Sequence, residues 1–448
     1  MKKIIPLAIL LAATQVACND SSKDTAQQEA VKKVPEINLQ TVTNDVTYLA
    51  SDELEGRGTF TPGITKAAEF IGKRFKEAGL VPLDGATSYE QDFSLYNVKP
   101  ESVAVNLNGE VINAEMVAVA TSNEMLNWDD STPVALTVIG KDDDFREKIG
   151  EINQRGDSNL VVIDPAHEGM FKRYQAYFGG GLNKFEINTD NTLVMVVTAI
   201  TDVKSVAVNV TNTVKTQSLS NVVGVLPGKS KEVVLFSAHY DHLGVDEQAE
   251  GDKIYNGADD DASGTTAIMN LAQYYRDQGD NQRTLVFSAF TAEEIGGYGS
   301  KYFSNHIDSD NIVAMVNIEM IGKPSKFGAG TFWMTGFERS NLGALMNESL
   351  KSMNTEVHPD PYPEQRLFYR SDNATLARLG VPAHSFSSTQ LDKDKHYHKA
   401  SDDVASLDLA SMTKVINSIA IASQSLVDGK ATPTRVDTSK VNKNGLIF

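Results

Sequence analysis

Histidines and carboxylates follow several apolar segments in the carboxyl-terminal half of the chain, and together they could hold a divalent metal. The run HYDH at 239–242 ends the segment EVVLFSA, Glu293 and Glu294 lie two residues after TLVFSAF, and Glu319 directly follows IVAMVNI. Further aspartates and histidines occur in NGADDDASG and in HYHKASDD. Mixed imidazole and carboxylate ligands suit Zn²⁺ first, with Co²⁺ and Mn²⁺ as substitutes.

The adjacent Glu293 and Glu294 need an explanation, because two neighbouring carboxylates at the end of a buried strand repel each other unless a cation lies nearby. Each acidic or histidine residue alone has an ordinary alternative. A histidine after a strand is commonly a hydrogen-bonded core residue, and the DDD run could cap a helix N-terminus and interact with its dipole. Their joint placement at the ends of successive strands favours a metal site.

The elements that must position these residues begin after Ser218, where apolar strands alternate with amphipathic helices. Helices are predicted near 263–278 and 340–353. Strands separated by helices predict an α/β fold with a doubly wound, mostly parallel sheet and helices on both faces. In such sheets the ligand crevice lies beyond the carboxyl ends of the strands, which is where the polar residues occur.

The rest of the chain divides by pattern into further segments. Residues 37–95 are predicted as the first, largely helical part of the catalytic domain, with Gly79 placed to end a helix. Residues 96–216 alternate between apolar and polar residues and are predicted as an inserted, mainly β domain. The second part of the catalytic domain is expected over 217–430, followed by a polar tail over 431–448.

The amino terminus has the features of an export signal. Lys2 and Lys3 precede an apolar stretch that is too short to span a bilayer, and small residues precede Cys18. We expect a signal peptide over 1–17, a lipid on Cys18 and a flexible tether over 18–36, which would anchor a periplasmic protein to the bacterial cell envelope. The alternative is a soluble periplasmic protein cut nearby, and Gln15 stands where lipoprotein signals usually have an aliphatic residue.

Composition limits the partners. The formal net charge of −18 argues against nucleic acid, because phosphate binding needs a concentrated basic surface. Cys18 is the single cysteine, so the mature chain has neither an intrachain disulfide nor a thiolate nucleophile. We expect contact with a membrane only through a lipid on Cys18.

The ordered motifs resemble those of a known enzyme family. The runs SAHYDHLG, GADDDASG, AFTAEEIGGYGS, VNIEMIG and YHKASDD, in this order, are similar to the co-catalytic zinc aminopeptidases of metallopeptidase family twenty-eight. LASDELEGRG at 49–58 is similar to the amino-terminal stretch of bacterial members. The resemblance covers about 40–90 and 217–425 and implies the phosphorylase/hydrolase-like fold of zinc peptidases. The middle segment resembles the family's protease-associated insertion in position and strand content.

The resemblance implies a role for each motif residue. Two Zn²⁺ ions would be held by five ligands: His239 and Glu319 on one ion, Glu294 and His398 on the other, and Asp260 between them. The family's bridging aspartate stands three residues before a Ser-Gly pair, which selects Asp260 from the three aspartates. Glu293 matches the general base, so one glutamate would bind metal while its neighbour moves a proton.

Other positions match less closely. Asp241 is similar to the carboxylate that orients the ligand histidine, and Tyr397 to a tyrosine that stabilises the oxyanion in some members. Asp372 and Asn373 lie in a segment implied to bind substrate. Two residues depart from the family pattern: Glu319 stands where many members have aspartate, and Asn373 stands where the segment often has histidine.

The expected function is hydrolysis of peptides that have a free N-terminus. The resemblance leaves two alternatives on the same fold, a carboxypeptidase and a glutaminyl cyclase. A third alternative is a non-catalytic binding protein like the receptor members of the family, which have typically lost metal ligands. The presence here of Glu293 and five candidate ligands favours an enzyme.

Overall fold

The computed structural model describes residues 35–189, 191–353 and 355–448, and its largest element is an 11-stranded mixed sheet. The predicted signal peptide, Cys18 and all but the last two residues of the predicted tether lie outside the described residues.

The strands are β1 (Glu90–Leu107), β2 (Glu110–Ile112), β3 (Val117–Ala120), β4 (Met125–Trp128), β5 (Ala135–Ile139), β6 (Asn159–Ile163), β7 (Leu182–Lys184), β8 (Leu193–Val197), β9 (Val206–Leu226), β10 (Ser230–His239), β11 (Gly244–Val245), β12 (Ile254–Tyr255), β13 (Arg283–Phe290), β14 (Ile312–Ile318), β15 (Phe332–Met334), β16 (Val357–Pro359) and β17 (Ala383–Ser387). The α-helices are α1 (Leu39–Leu49), α2 (Pro62–Glu77), α3 (Phe145–Arg155), α4 (Glu168–Gly179), α5 (Gly264–Gln278), α6 (Tyr298–Asn305), α7 (Leu342–Leu350), α8 (Asn373–Ala377), α9 (Leu409–Ala422) and α10 (Gln424–Val427).

The main sheet has a parallel centre flanked by antiparallel strands. Its order is β16-β15-β17-β14-β10-β13-β9-β1-β2, with β4 paired to β9 and β7 to β1. Strand β10 is parallel to both β13 and β14, and β14 is parallel to β17, whereas β9 and β15 join this group in antiparallel orientation. The predicted α/β fold with a mixed sheet is confirmed, with three of the parallel pairs at its centre, and the carboxyl ends of β10, β13 and β14 share one edge.

Helices cover both faces of this sheet, as predicted. On one face α1, α2, α5 and α9 bury a large apolar core against β10 and β13; on the other, Phe303 of α6 and Leu376 of α8 pack on the same strands. Helix α2 buries Ala67, Ile71 and Phe75 at helical spacing. Burial of these apolar stripes, rather than helix propensity, fixes the helices on the sheet.

The segment predicted as an inserted β domain contains a second, four-stranded sheet of order β3-β8-β6-β5. Helices α3 and α4 pack on this sheet and contribute Ile149 and Phe171 to its core, so the segment predicted as mainly β also contains two helices. Strands β1 and β9 cross the predicted boundaries at 96 and 216, because each continues unbroken from the main sheet as one partner of a long antiparallel pair.

The predicted polar tail is also packed against the protein. Val436, Val441 and Ile447 are buried, and the rings of Tyr174 and Phe178 contact the ring of Phe448. The apolar residues of this segment are few, so its composition predicted a polar tail, but those few are buried against the rest of the protein. Within the described residues, none of the helices combines the length and the apolar character that a bilayer crossing requires.

Arg57 joins the amino-terminal segment to the main sheet. Its guanidinium is fully buried and donates to the backbone carbonyls of Leu49, Tyr240, Asn256 and Gly257. Burial lowers the pKa of Arg57 to about 10, so the group keeps its charge at neutral pH. The turns that begin at Tyr240 and at Gly257 are therefore fixed to each other through one side chain.

We predict that Arg57→Met destabilises the fold. The substitution leaves buried carbonyl groups unpaired, at about 1–3 kcal/mol each, so we expect a loss of roughly 3 kcal/mol or more in the free energy of unfolding. Urea denaturation measures the change. Arg155→Met is the control, because Arg155 is half-exposed and its ion pair with Asp157 lies at the surface, and it should cost less than about 1 kcal/mol. Equal losses in the two variants would contradict the assigned role of Arg57.

Candidate active site

Two clusters of possible metal ligands lie at the carboxyl edge of the parallel strands and share Asp260. In the first cluster, His239 Nε2 lies 3.2 Å from Asp260 Oδ1 and 3.9 Å from Glu319 Oε1. In the second, His398 Nε2 lies 3.2 Å from Asp260 Oδ2 and 3.3 Å from Glu294 Oε2. The two oxygens of Asp260 therefore face different clusters, and all five residues predicted as ligands come together.

His242 belongs to the second cluster and was missed by the sequence analysis. Its Nδ1 lies 2.8 Å from Glu294 Oε1 and 3.9 Å from Asp260 Oδ2, and the side chain is fully buried. The second histidine of the HYDH run was the available signal. Because this residue follows the strand end by three positions, only the turn of the backbone after Tyr240 brings its ring back toward Glu294.

The donor set fits divalent cations. His239 Nε2, His242 Nε2 and Glu319 Oε2 are buried atoms without a hydrogen-bond partner in the described structure. Buried polar atoms in proteins are nearly always paired, so these unpaired atoms beside closely spaced carboxylates suit the binding of divalent cations. His239, Asp260 and Glu319 form one group of closely spaced ligand atoms, and His242, Asp260 and Glu294 form another.

The pKa values of the clustered carboxylates and of His398 are shifted from their usual ranges. Burial raises the pKa of Glu319 to about 7 and that of Glu293 well above its usual range. Burial would also raise the pKa of Asp260, but its contacts with His239 and His398 outweigh this effect and lower it. Contacts with Asp260 and Glu294 raise the pKa of His398 to about 10. The carboxylates thus favour positive charge at both clusters.

Glu293 and Glu294 have different surroundings although they are adjacent. The Glu294 carboxylate contacts the imidazoles of His242 and His398. Among the described residues the Glu293 carboxylate makes no hydrogen bond or ion pair, and it lies partly exposed at the same edge of the sheet. One glutamate is therefore placed as a ligand, and the other keeps its oxygens free for a proton.

Asp241 holds the backbone of both glutamates. Its carboxylate accepts hydrogen bonds from Glu293 N at 3.0 Å and from Glu294 N at 3.2 Å, and Thr59 Oγ1 donates to it. Nδ1 of His239 lies 3.1 Å from the backbone carbonyl of Asp241 and 3.8 Å from its carboxylate. Asp241 therefore contacts the histidine through its backbone, while its buried carboxylate fixes the turn that carries the two glutamates.

Tyr397 lies between the second cluster and a cavity of about 110 Å³. Its ring stacks on His398 with 3.9 Å between centroids, and its hydroxyl is 3.4 Å from a guanidinium nitrogen of Arg370. The cavity is lined by hydroxyl-bearing and apolar side chains together with Arg370 and a candidate ligand: Glu319, Met320, Trp333, Thr335, Gln365, Leu367, Arg370, Ser371, Ser385, Ser387, Leu391 and Tyr397. A small side chain bound there would lie directly beside the first cluster.

The two residues predicted to bind substrate are both buried, but they differ in their contacts. Neither carboxylate oxygen of Asp372 has a hydrogen-bond partner, and burial raises the pKa of Asp372 to about 6. The amide of Asn373 donates to the carbonyls of Phe368 and Ala383 and accepts from Ser385 Oγ. Asn373 thus contacts Ser385, which is one of the residues that line the cavity.

The carboxyl-terminal half of the chain is similar to known peptidases. The family model described as Peptidase family M28 matches residues 221–422. The chain is 29% identical over 202 residues to leucine aminopeptidase 1 of Trichophyton rubrum, covering 43% of this chain and 54% of that protein. It is also 29% identical over 201 residues to a probable leucine aminopeptidase of Trichophyton verrucosum (strain HKI 0517), covering 43% and 52%. The chain thus matches about half the length of these curated relatives.

Solved structures show the same fold over nearly the whole chain. An aminopeptidase from Aneurinibacillus sp. strain AM-1 has a TM-score of 0.52 at 18% identity, covering 91% of this chain and 97% of that one. A zinc aminopeptidase from Bacillus subtilis has a TM-score of 0.53 at 15% identity, covering 92% and 99%. The matched residues contain both ligand clusters and the paired glutamates. Residues 221–422 of the chain therefore match the model of peptidase family M28.

Proposed function

We propose that the protein is an exported, zinc-dependent aminopeptidase that removes residues from the free N-terminus of peptides. The observation that carries this proposal is the difference between two adjacent carboxylates: Glu294 contacts two imidazoles, whereas Glu293 is free. The names of the similar proteins, which include leucine aminopeptidases and a zinc aminopeptidase, support the same activity.

The metal site proposed here holds two ions, with His239 and Glu319 on one, Glu294 and His398 on the other, and Asp260 shared. His242 is a further nitrogen donor at the second position. Bound there, a pair of divalent cations supplies the positive charge that polarises the scissile carbonyl and acidifies a water molecule.

Glu293 is proposed as the general base and acid. Its carboxylate accepts a proton from the attacking water and donates that proton to the leaving nitrogen, a role that needs a group with no other partner. Asp241 keeps this carboxylate in place by holding the Glu293 backbone N–H at 3.0 Å. Burial raises the pKa of Tyr397, so its hydroxyl stays protonated at neutral pH and is available to donate to the developing oxyanion.

The acidic residues around the first cluster suit a substrate ammonium. Glu319 and Asp372 both carry buried oxygens that have no partner, and an α-ammonium would gain charge-assisted hydrogen bonds from such acceptors. The adjoining cavity of about 110 Å³ is placed to take the side chain of the N-terminal residue.

We predict that Glu293→Gln and Glu294→Ala separate catalysis from metal binding. Glu293→Gln should lower kcat by at least about a hundredfold, the usual contribution of a general base, with metal content near that of the wild type. Glu294→Ala should lose metal as well as activity, because a ligand is removed. Steady-state kinetics and elemental analysis give the two readouts, with the exposed Glu247→Gln as the control. Equal metal loss in both glutamate variants would show that the two residues do not divide these roles.

We predict that a free α-amine is required. N-acetylation of a good substrate should lower kcat/KM at least about a hundredfold, roughly 2.7 kcal/mol of transition-state stabilisation, because the acidic acceptors would be left unpaired. A panel of aminoacyl chromogenic substrates, assayed with and without a chelator, provides the unblocked reference. Rapid cleavage of the acetylated peptide, release from the carboxyl end, or ring closure on N-terminal glutamine would each rule out the aminopeptidase assignment.

Export is proposed from the sequence of the first 18 residues, with a lipid on Cys18 as the anchor in the bacterial cell envelope. Cys18→Ser should move the protein from the membrane fraction to the soluble fraction while peptidase activity persists, because acyl chains supply the anchoring energy. Cell fractionation and intact mass measure the two properties. An unchanged distribution, with no acyl mass on the wild-type chain, would favour simple signal cleavage.

A further inference from the structure

Lys323 is a largely buried cation that contacts three aspartates outside the proposed ligand set. Its ammonium lies 3.3 Å from Asp259 Oδ2, 3.1 Å from Asp394 Oδ1 and 3.3 Å from Asp402 Oδ1, and its side chain is 11% exposed. The three carboxylates have 0–3% of their side-chain surface exposed. Without the ammonium, three buried negative charges would face one another, which is strongly unfavourable in a poorly solvated site.

Two of these aspartates hold the backbone beside a proposed ligand. Asp402 Oδ2 accepts hydrogen bonds from the N–H groups of Asp259 and Asp260, each at 3.1 Å. Asp394 Oδ2 accepts from Tyr397 N at 3.1 Å, directly before His398. Both aspartates therefore connect Lys323 to the backbone segments that carry the proposed ligands Asp260 and His398.

The third aspartate connects Lys323 to its own loop. Asp259 Oδ1 accepts from Gly322 N at 2.7 Å, and Thr389 Oγ1 donates to Asp259 Oδ2 at 2.6 Å. Gly322 and Lys323 follow Glu319 in the loop after β14. One ammonium is thus linked to the segments of Asp260, His398 and Glu319, which belong to both metal clusters.

We propose that Lys323 is a positioning residue that fixes these three segments and so increases the affinity of the site for zinc. The inference rests on the proposed function only in taking Asp260, His398 and Glu319 as ligands. Burial alone would lower the pKa of Lys323, but the three carboxylates outweigh this effect and raise it, so the side chain stays charged over the working pH range. Groups that hold ligands in place are known to change metal affinity by about 10–100-fold when they are removed.

The test compares Lys323→Met with Lys395→Met in the full-length protein. Lys395 is exposed and lies one residue after Asp394, so the control makes the same substitution on the loop that carries one of the carboxylates that Lys323 contacts. Competition with a chromogenic chelator gives the dissociation constant for Zn²⁺ without any peptide substrate. We expect Lys323→Met to bind zinc at least about tenfold more weakly than Lys395→Met. Amide hydrogen exchange over residues 390–403 should also be faster in Lys323→Met.

Two further variants separate positioning from general stability. Lys323→Arg keeps the charge, so we expect it to recover most of the zinc affinity that Lys323→Met loses. Asp394→Ala detaches only the His398 segment from Lys323, and it serves if Lys323→Met does not fold. We expect Asp394→Ala to bind zinc at least about fivefold more weakly than the wild type.

The outcomes distinguish the inference from the proposed activity. Zinc affinity within twofold of Lys395→Met for a folded Lys323→Met, or within twofold of the wild type for Asp394→Ala, would overturn the role of Lys323. A wild-type protein that binds zinc but cleaves no peptide would overturn the aminopeptidase proposal alone, because the affinity ratio is measured without substrate. A wild-type protein that binds no zinc would overturn both.

Discussion

Crowding of buried carboxylates at one edge of the sheet is the constraint on which the rest of the structure depends. Residues from six segments bring negative charge into the same poorly solvated region: Asp241, Asp259, Asp260, Asp261, Glu293, Glu294, Glu319, Asp372, Asp394 and Asp402. Such a group is unstable in a protein interior unless positive charge is supplied. Arg57 and Lys323 supply part of it, and the proposed metal ions would supply the rest.

The same aspartates also replace regular secondary structure in the loops that follow the strands. Asp241 holds the backbone of the glutamate pair, and Asp402 accepts hydrogen bonds from the backbone N–H groups of Asp259 and Asp260. Asp261 accepts from His239 N and Met320 N. Each carboxylate satisfies N–H groups that would otherwise be unpaired at a buried strand end. The negative charge needed for metal binding therefore also shapes the loops, so electrostatics and loop geometry are not independent in this site.

The sequence predicted the fold at the level that burial controls. The apolar runs of β10 and β13 and the helical spacing of apolar residues in α5 follow directly from burial in the core. The structure contains these three elements where they were expected. Contacts set by loop backbone were harder to predict. The position of His242 depends on the turn of the backbone after Tyr240. The carboxylate of Asp241 binds backbone N–H groups, which every residue type except proline has, so the sequence does not reveal this contact. The helices α3 and α4 were missed because the strands around them dominated the alternating pattern.

The long ladder between β1 and β9 limits how this part of the chain can change in length. The two strands pair from Glu90 with Val222 to Leu107 with Val206. Near one end, Asn221 accepts from Thr291 N and donates to Gly299 O, on either side of the loop that carries the glutamate pair. Side chains alternate between faces along a strand, so a single added residue would reverse the orientation of everything beyond it. The register shift between Pro100 and Ser102 already absorbs one such residue. Related chains should therefore differ here by whole pairs of rungs, or by further bulges, since any other change in length would reverse the faces of the far part of the ladder relative to Asn221, which the pairing of Val222 with Ala289 fixes on the main sheet.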